Sequence, residues 1–183
     1  MNDHDDELLS KARGFDREAI TTIYDTYHQP LYRYVYRQVG SVEVARDLTA
    51  EVFQRFLQAL KNGNGPNQQL KAWLYRVAHN LVVDYFRRRQ HWDDLPLDEY
   101  RLYSDSDPAQ AAELQLDSER VWAALNRLTP EQRQVISLKF FAGMSNQEAA
   151  EVMAKPVGAV KALQHRAIAA LQIWLVPVEE GVL

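Results

Sequence analysis

Nearly every periodic stretch of this chain repeats its apolar residues at three- and four-residue spacings, and no alternating run is long enough to make a strand. The chain therefore reads as all-α. From about Val42 to Lys61, Ala45, Leu48, Val52, Phe53, Phe56, Leu57 and Leu60 form one broad stripe that predicts a shared core. The opposite face of that helix carries Asp47, Glu51, Gln54 and Gln58. Ahead of it the pattern predicts a helix from about Asp16 to Gln38, with Pro30 as its place to bend, a stop at Gly40 and a Ser41 cap for the next helix. Asn62-Gly63-Asn64-Gly65-Pro66-Asn67 is a loop by turn chemistry, and a further helix runs from about Gln69 to Arg89.

From His91 to about Pro108 the period collapses. Asp93-Asp94-Leu95-Pro96-Leu97-Asp98-Glu99 and Ser104-Asp105-Ser106-Asp107-Pro108 are acidic, proline-marked and aperiodic, the composition of a flexible linker. Helical patterning resumes near Ala111. Thr129-Pro130-Glu131-Gln132 reads as a cap, a proline in the first turn and a Gln closing a capping box. Ser145-Asn146-Gln147-Glu148 is a second capping box just past Gly143, which can end the preceding helix in a left-handed turn. Pro156 opens a last helix that runs to about Trp174. The expected organisation is a helical domain over 1–91, an acidic linker over 92–110, a second helical domain over 111–176 and a tail over 177–183.

A net charge of −4 argues against nucleic-acid binding only if it is uniform, and it is not. Residues 71–92 hold five Lys/Arg against Asp84 alone, residues 93–119 hold nine acids against Arg101, and residues 120–175 hold seven Lys/Arg against three acids. Two basic blocks flanking an acidic one suit a chain in which two separate surfaces meet a polyanion. Zero cysteines exclude disulfides and thiolate metal sites. His4, His28, His79, His91 and His165 show no paired ligand spacing, so neither metal nor cofactor is expected. There is no phosphate-cradling glycine loop and no nucleophile with an oriented base, so the chain does not read as an enzyme. No apolar run is long enough to insert in a membrane, and the acidic start is the opposite of a secretory leader, which implies the cytoplasm.

The short helix from about Asn146 to Met153, the turn Ala154-Lys155-Pro156 and the longer helix after it have the layout of a helix-turn-helix unit. Val160, Leu163, Ala167 and Leu171 supply a buried stripe, leaving Gly158, Lys161, Ala162, His165 and Arg166 outward or lateral. Small residues at Gly158 and Ala162 would let the helix approach bases, and Lys161 and Arg166 would reach phosphates or a guanine edge. The plainer alternative is that these are the wet side of an amphipathic helix. In the helix ending at Arg89, Leu74, Val77, Ala78, Leu81 and Tyr85 share one stripe while Arg76, Asn80 and Asp84 follow another, with Arg87, Arg88 and Arg89 beyond. Aromatics mixed with cations suit melted DNA, although the aromatics can equally be core and Asp84 can simply pair with Arg88, four residues on.

Four motifs occur in order: Val44-Ala45-Arg46-Asp47-Leu48-Thr49-Ala50-Glu51-Val52-Phe53, then Ala72-Trp73-Leu74-Tyr75-Arg76-Val77-Ala78-His79-Asn80-Leu81-Val82-Val83-Asp84, then Leu128-Thr129-Pro130-Glu131-Gln132-Arg133, then Val157-Gly158-Ala159-Val160-Lys161. Together they resemble the extracytoplasmic-function class of bacterial RNA polymerase sigma factors. The resemblance implies two small helical domains, known as sigma domains two and four, which bind core RNA polymerase and hold promoter DNA, double-stranded and melted. Asp47 and Glu51, with Gln54 beside them, match the helix that docks on the polymerase. The loop bearing Asn62 and Asn64 corresponds to the segment that captures a flipped base, at a cost of a few kcal/mol of unstacking. Arg76, Asn80, Asp84, Arg87, Arg88 and Arg89 fall on the helix facing the minus-ten element, and Gly158, Lys161, His165 and Arg166 on the one facing the minus-thirty-five element.

The same resemblance allows an anti-sigma protein clamped between the domains, and it leaves no room after Val176 for the extra domain some relatives carry. Arg46 and Ala50 stand where an acid and Gln are common, a departure on the polymerase-docking helix, while Lys155-Pro156 replaces a frequent Ile-Ser and Ala159, Ala162 and Leu163 replace hydroxyl or Arg residues that often touch DNA, so promoter sequence does not carry over. A conventional helix-turn-helix regulator acting without polymerase would account for the second half but not for the Asp47/Glu51 face or the aromatic-basic helix.

Overall fold

The computed structural model describes residues 3–66, 68–89 and 120–175, and all regular structure among them is helical. The linker, the resumption of helix near Ala111 and the tail lie outside the described residues.

Helix α1 (Asp3–Arg13) has acids in its first turns and Lys11 and Arg13 in its last, the charge order that the helix dipole favours. The periodicity did not predict it, because among its described side chains only Leu9 and Ala12 are buried, with Leu8 packed beside them. Side-chain hydrogen bonds fix its position. Asp5 accepts from the Tyr27 hydroxyl at 2.6 Å, and Arg13 donates to the Pro66 carbonyl.

Helix α2 (Arg17–Val39) starts where Asp16 accepts a hydrogen bond from the Ala19 N–H and ends at Gly40, which takes the left-handed conformation (φ 73°) and bonds back to the Tyr36 carbonyl. It runs unbroken through Pro30. Ser41 caps α3 (Val42–Lys61) by accepting from Val44. Ala45, Val52, Phe53, Phe56 and Leu60 are buried and Leu48 partly so, as the stripe implies. Leu57 departs from it at 41 % exposure, since it sits at the edge of the arc that α2 and α4 cover. Helix α4 (Leu70–Arg89) completes a bundle in which α2, α3 and α4 pack pairwise, and Leu74, Ala78 and Leu81 are inside it. Each such leucine contributes about 1.5–3 kcal/mol on burial, and the Ala78 methyl about 0.8 kcal/mol.

The second half begins with helical residues 120–127, here α5. The capping box of Thr129 and Gln132 is formed at both of its hydrogen bonds and opens α6 (Pro130–Ile136). This helix widens into a π-turn over Ser137–Phe141, closed by the Ala142 N–H on the Ser137 carbonyl, and Gly143 (φ 62°) stops it. The capping box of Ser145 and Glu148 is likewise complete at the start of α7 (Asn146–Met153). The hydrogen bonds from Ser145, with Lys71 nearby, hold the Glu148 carboxyl below its usual range against the opposing effect of burial. Ala154 adopts a left-handed conformation (φ 50°), and α8 (Val157–Leu175) follows.

The two halves are packed together, and a single cluster of buried apolar side chains runs through both. α4 lies against α7, and α2 against α6 and the π-turn.

Candidate nucleic-acid and protein interfaces

On α3 the predicted polar face is present. Asp47 and Gln54 are exposed and Glu51 half-buried, within one narrow arc opposite the core stripe. Their electrostatic states differ. Glu51 accepts from Arg55 at 2.7 Å, four residues on, whereas no ion pair involves Asp47 among the described residues. The sequence did not single out the aromatic ground beside it: Tyr24 of α2 packs on His28 and on Phe53 of α3 with ring centroids 4.8 Å apart in each case, and Tyr24 remains exposed, as does Leu57 of α3.

The loop after α3 has an exposed tip, Asn62-Gly63-Asn64, on a fixed base. Gly63 is left-handed (φ 68°), and a Cβ at Gly65 would sit 3.0 Å from a Leu60 methyl. Pro66 is buried and its carbonyl is held by Arg13, so α1 braces the loop. Asn62 and Asn64 are thus solvent-facing on a tethered support.

On α4, Arg76, Asn80 and Arg87 are exposed and Asp84 is half-buried, on the side away from the Leu74/Ala78/Leu81 core, while Arg88 is exposed and Arg89 half-buried at the end of the helix. The expected Asp84–Arg88 pair is not the one formed. Asp84 pairs with Arg87 at 3.0 Å, three residues on, and Arg89 bonds the Tyr85 hydroxyl. Trp73 is partly core, edge-on to Phe56, and Tyr75 is fully buried against Tyr34. Burial pushes the Tyr75 hydroxyl up to about 12, with Arg37 opposing, so it is neutral and belongs to packing.

The second-half unit has the expected geometry. α7 and α8 are joined through the left-handed Ala154, the Lys155 N–H returns to the Ala150 carbonyl, and Lys155 pairs with Glu131 at 2.8 Å. Val160, Leu163 and Ala167 are buried, Leu171 is partly buried, and Gly158, Lys161, Ala162, His165 and Arg166 are exposed on the opposite arc. A Cβ added at Gly158 would meet nothing within 4 Å. The fold therefore does not need glycine there, and as the second residue of α8 it costs the helix less than the roughly 1 kcal/mol of an interior glycine.

What the sequence reading missed is the seam between the halves. Gln38 Nε2 donates to Ser137 Oγ at 3.1 Å, Gln134 Nε2 meets His79 Nδ1 at 2.6 Å, and Lys71 Nζ donates to the Ala142 carbonyl. Tyr36 stacks on Trp122 at 5.4 Å, and the Arg37 guanidinium lies 3.7 Å from the Phe141 ring centroid. The Tyr34 hydroxyl sits beside Gln134 without a well-formed hydrogen bond, and burial raises its pKa well above the ordinary value. The signal available was on α4, whose buried residues Leu70, Leu74, Tyr75, Ala78 and Val82 wrap more of the helix than one neighbour can cover.

No group of metal-ligating side chains occurs among the described residues, and no described helix is long and apolar enough to cross a membrane.

Comparison with known families and proteins gives a consistent result. The family model for Sigma-70 region 2 matches residues 23–91, and that for Sigma-70 region 4 matches residues 118–171. The chain is 33% identical over 167 residues to the ECF RNA polymerase sigma factor BldN of Streptomyces coelicolor, spanning 90% of this chain and 63% of BldN. It is 31% identical over 165 residues to the ECF RNA polymerase sigma factor SigX of Bacillus subtilis, spanning 85% and 82%. Among solved structures, CnrH in complex with the cytosolic domain of CnrY superposes with a TM-score of 0.72 at 26% identity, covering 94% of this chain and 97% of CnrH.

Proposed function

The chain belongs to the extracytoplasmic-function sigma factors of bacterial RNA polymerase, and we propose that it serves as an alternative sigma factor whose first half carries polymerase docking and minus-ten recognition and whose second half carries minus-thirty-five recognition. It acts in the cytoplasm and catalyses no chemistry itself.

In this reading Asp47, Glu51 and Gln54 dock on core polymerase. The loop tip Asn62 and Asn64 receives an unstacked base, and Arg76, Asn80, Asp84 and the Arg87–Arg89 run track the melted strand. Gly158, Lys161, His165 and Arg166 enter the major groove at the minus-thirty-five element. The observation that carries the assignment is that α4 and α8 each present a polar, largely basic stripe opposite their buried face, one in each family-matched half. An anti-sigma protein is a natural second partner: the superposed CnrH structure is of a complex with the cytosolic domain of CnrY.

The test is run-off transcription with purified core polymerase and a pool of genomic promoter fragments. Discrete start sites that require the chain are expected. Absence of both transcripts and core binding would remove the assignment, and a footprint by the chain alone would move it to the conventional regulator.

A further inference from the structure

Helix α1 is tied into the first half at both ends. Near its start Asp5 accepts from the hydroxyl of Tyr27, a buried residue of α2, at 2.6 Å. At its last residue Arg13 Nη2 donates to the Pro66 carbonyl, 53 positions on. Between these two ties Leu9 and Ala12 are buried in the shared core. The turn into α2 is equally fixed, with the Gly14 and Asp16 N–H groups both returning to the Lys11 carbonyl and Phe15 in a left-handed conformation (φ 57°). Arg13 is therefore carried on a packed, immobile support.

The loop it reaches is fastened from the other side by α3. The Asn62, Gly63 and Asn64 N–H groups donate to the carbonyls of Gln58, Leu60 and Ala59. Gly65 lies so close to Leu60 that a Cβ would sit 3.0 Å from its methyl. Pro66 then turns the chain away from α3 with no N–H to give, and its carbonyl is taken by Arg13. The exposed tip is thus bounded by α3 at one end and by α1 at the other. A site that receives an unstacked base gains most when its groups stand in place before the base arrives, because unstacking is uphill and ordering a slack loop adds to its cost. A guanidinium donating to a carbonyl is a strong bond of the charge-assisted kind. The Sigma-70 region 2 match begins at residue 23, so α1 lies ahead of the matched segment.

We propose that α1 belongs to the minus-ten apparatus: Arg13 is a positioning residue that, through the Pro66 carbonyl, holds the Asn62–Asn64 tip in the geometry that receives the flipped base. It acts through the loop and touches no DNA itself. This inference rests on the sigma-factor reading above.

Two full-length variants test it. Arg13→Met removes the donor and keeps a helix-forming side chain, while Leu9, Ala12 and the Asp5–Tyr27 bond still hold α1. Arg13→Lys keeps a donor of similar reach. In the free chain, amide exchange at Gly63, Asn64 and Gly65 is expected to be several-fold faster in Arg13→Met and close to wild type in Arg13→Lys. Equal exchange in all three proteins would overturn the inference. With core polymerase, binding is then measured on the mapped promoter and on fragments in which the minus-ten bases of the displaced strand are removed one at a time. Arg13→Met is expected to bind the intact promoter at least about fivefold more weakly than wild type, and to equal wild type on the fragment that lacks the captured base, with Arg13→Lys restored on both. A loss of the same size on every fragment would make Arg13 a general support of the fold and sink the proposal. So would a salt slope lowered by about one, the mark of a direct phosphate contact. If wild type loses nothing at any position, no base is captured and the inference falls with that assignment. Failure of wild type to bind core at all would remove the sigma reading itself, and the inference with it.

Discussion

Gln134 and His79 meet across the seam with the amide nitrogen 2.6 Å from His79 Nδ1. For the amide to donate, Nδ1 must be an acceptor, which fixes the neutral ring with its proton on Nε2. Protonation would set an N–H against the amide donor. The surroundings oppose it too: burial is the larger cause of the lowered His79 pKa, and Lys155 from the α7–α8 turn adds to it. Of the other groups near the pair, the Tyr34 and Tyr75 hydroxyls stay neutral, and Lys155 is itself tied to Glu131.

The sign of the resulting pH dependence follows. Free His79 titrates near 6.5 and packed His79 lower, so the separated or unfolded state binds the extra proton first. The packing is fully stable above about pH 6.5 and weakens as pH falls through that value toward the lowered one. A thermal melt is expected to drop between about pH 7.5 and 5.5, and His79→Gln should remove most of the drop. Working above about pH 5 keeps Glu148, whose own contribution is lost only at lower pH, out of the window. A wild-type melting temperature that is flat over this range would contradict the buried neutral histidine.

Asp47→Lys should reduce affinity for core polymerase at least tenfold, since it places a cation in the centre of the proposed docking arc. Asp47 is exposed and pairs with nothing among the described residues, so circular dichroism and melting should be unchanged. Glu51→Lys removes the Arg55 pair as well, at a cost of a few tenths of a kcal/mol. Core binding measured by fluorescence anisotropy decides: wild-type affinity in both variants would return this face to plain solvation.

Gly158→Ala separates stability from function. The added methyl meets nothing in the fold and, at the second residue of α8, should raise helix stability by about a few tenths of a kcal/mol, less than at an interior position. If the helix lies close to base edges, transcription dependent on the minus-thirty-five element should nevertheless fall several-fold. A variant that is both more stable and fully active would show that α8 does not approach DNA at this position.

The sequence pattern made the helices legible wherever they are amphipathic and capped. The bounds of α3, both capping boxes and the Val160/Leu163/Ala167 stripe are as expected because each is set by residues within a turn or two of one another. α1 was invisible because two buried residues make no period. The Asp84–Arg87 pairing turns on a rotamer choice between neighbours three and four residues away. Leu57 and the seam were missed because periodicity says that a face is apolar and leaves open what covers it. Leu57 is left bare, whereas Tyr75 is fully buried against Tyr34. The candidate contact residues could be placed on the correct faces, but the proximity of α4 to α8 depends on contacts between residues such as Gln38 and Ser137, 99 positions apart.

Lys161→Ala and Arg166→Ala distinguish two ways of binding. Both side chains are exposed on the arc opposite Val160 and Leu163, so neither substitution should alter folding. A cation that contacts only phosphate neutralises one backbone charge, and its loss should reduce the slope of log affinity against log salt by about one, equally on every promoter. A cation that reads a guanine edge should instead cost about 1–3 kcal/mol on the preferred element and much less on a substituted one. Holoenzyme binding, measured over a salt series on matched and substituted promoters, separates the two. If neither the slope nor the preference moves in either variant, the exposed arc of α8 is only the solvated side of an amphipathic helix, and minus-thirty-five recognition must be sought elsewhere in the second half.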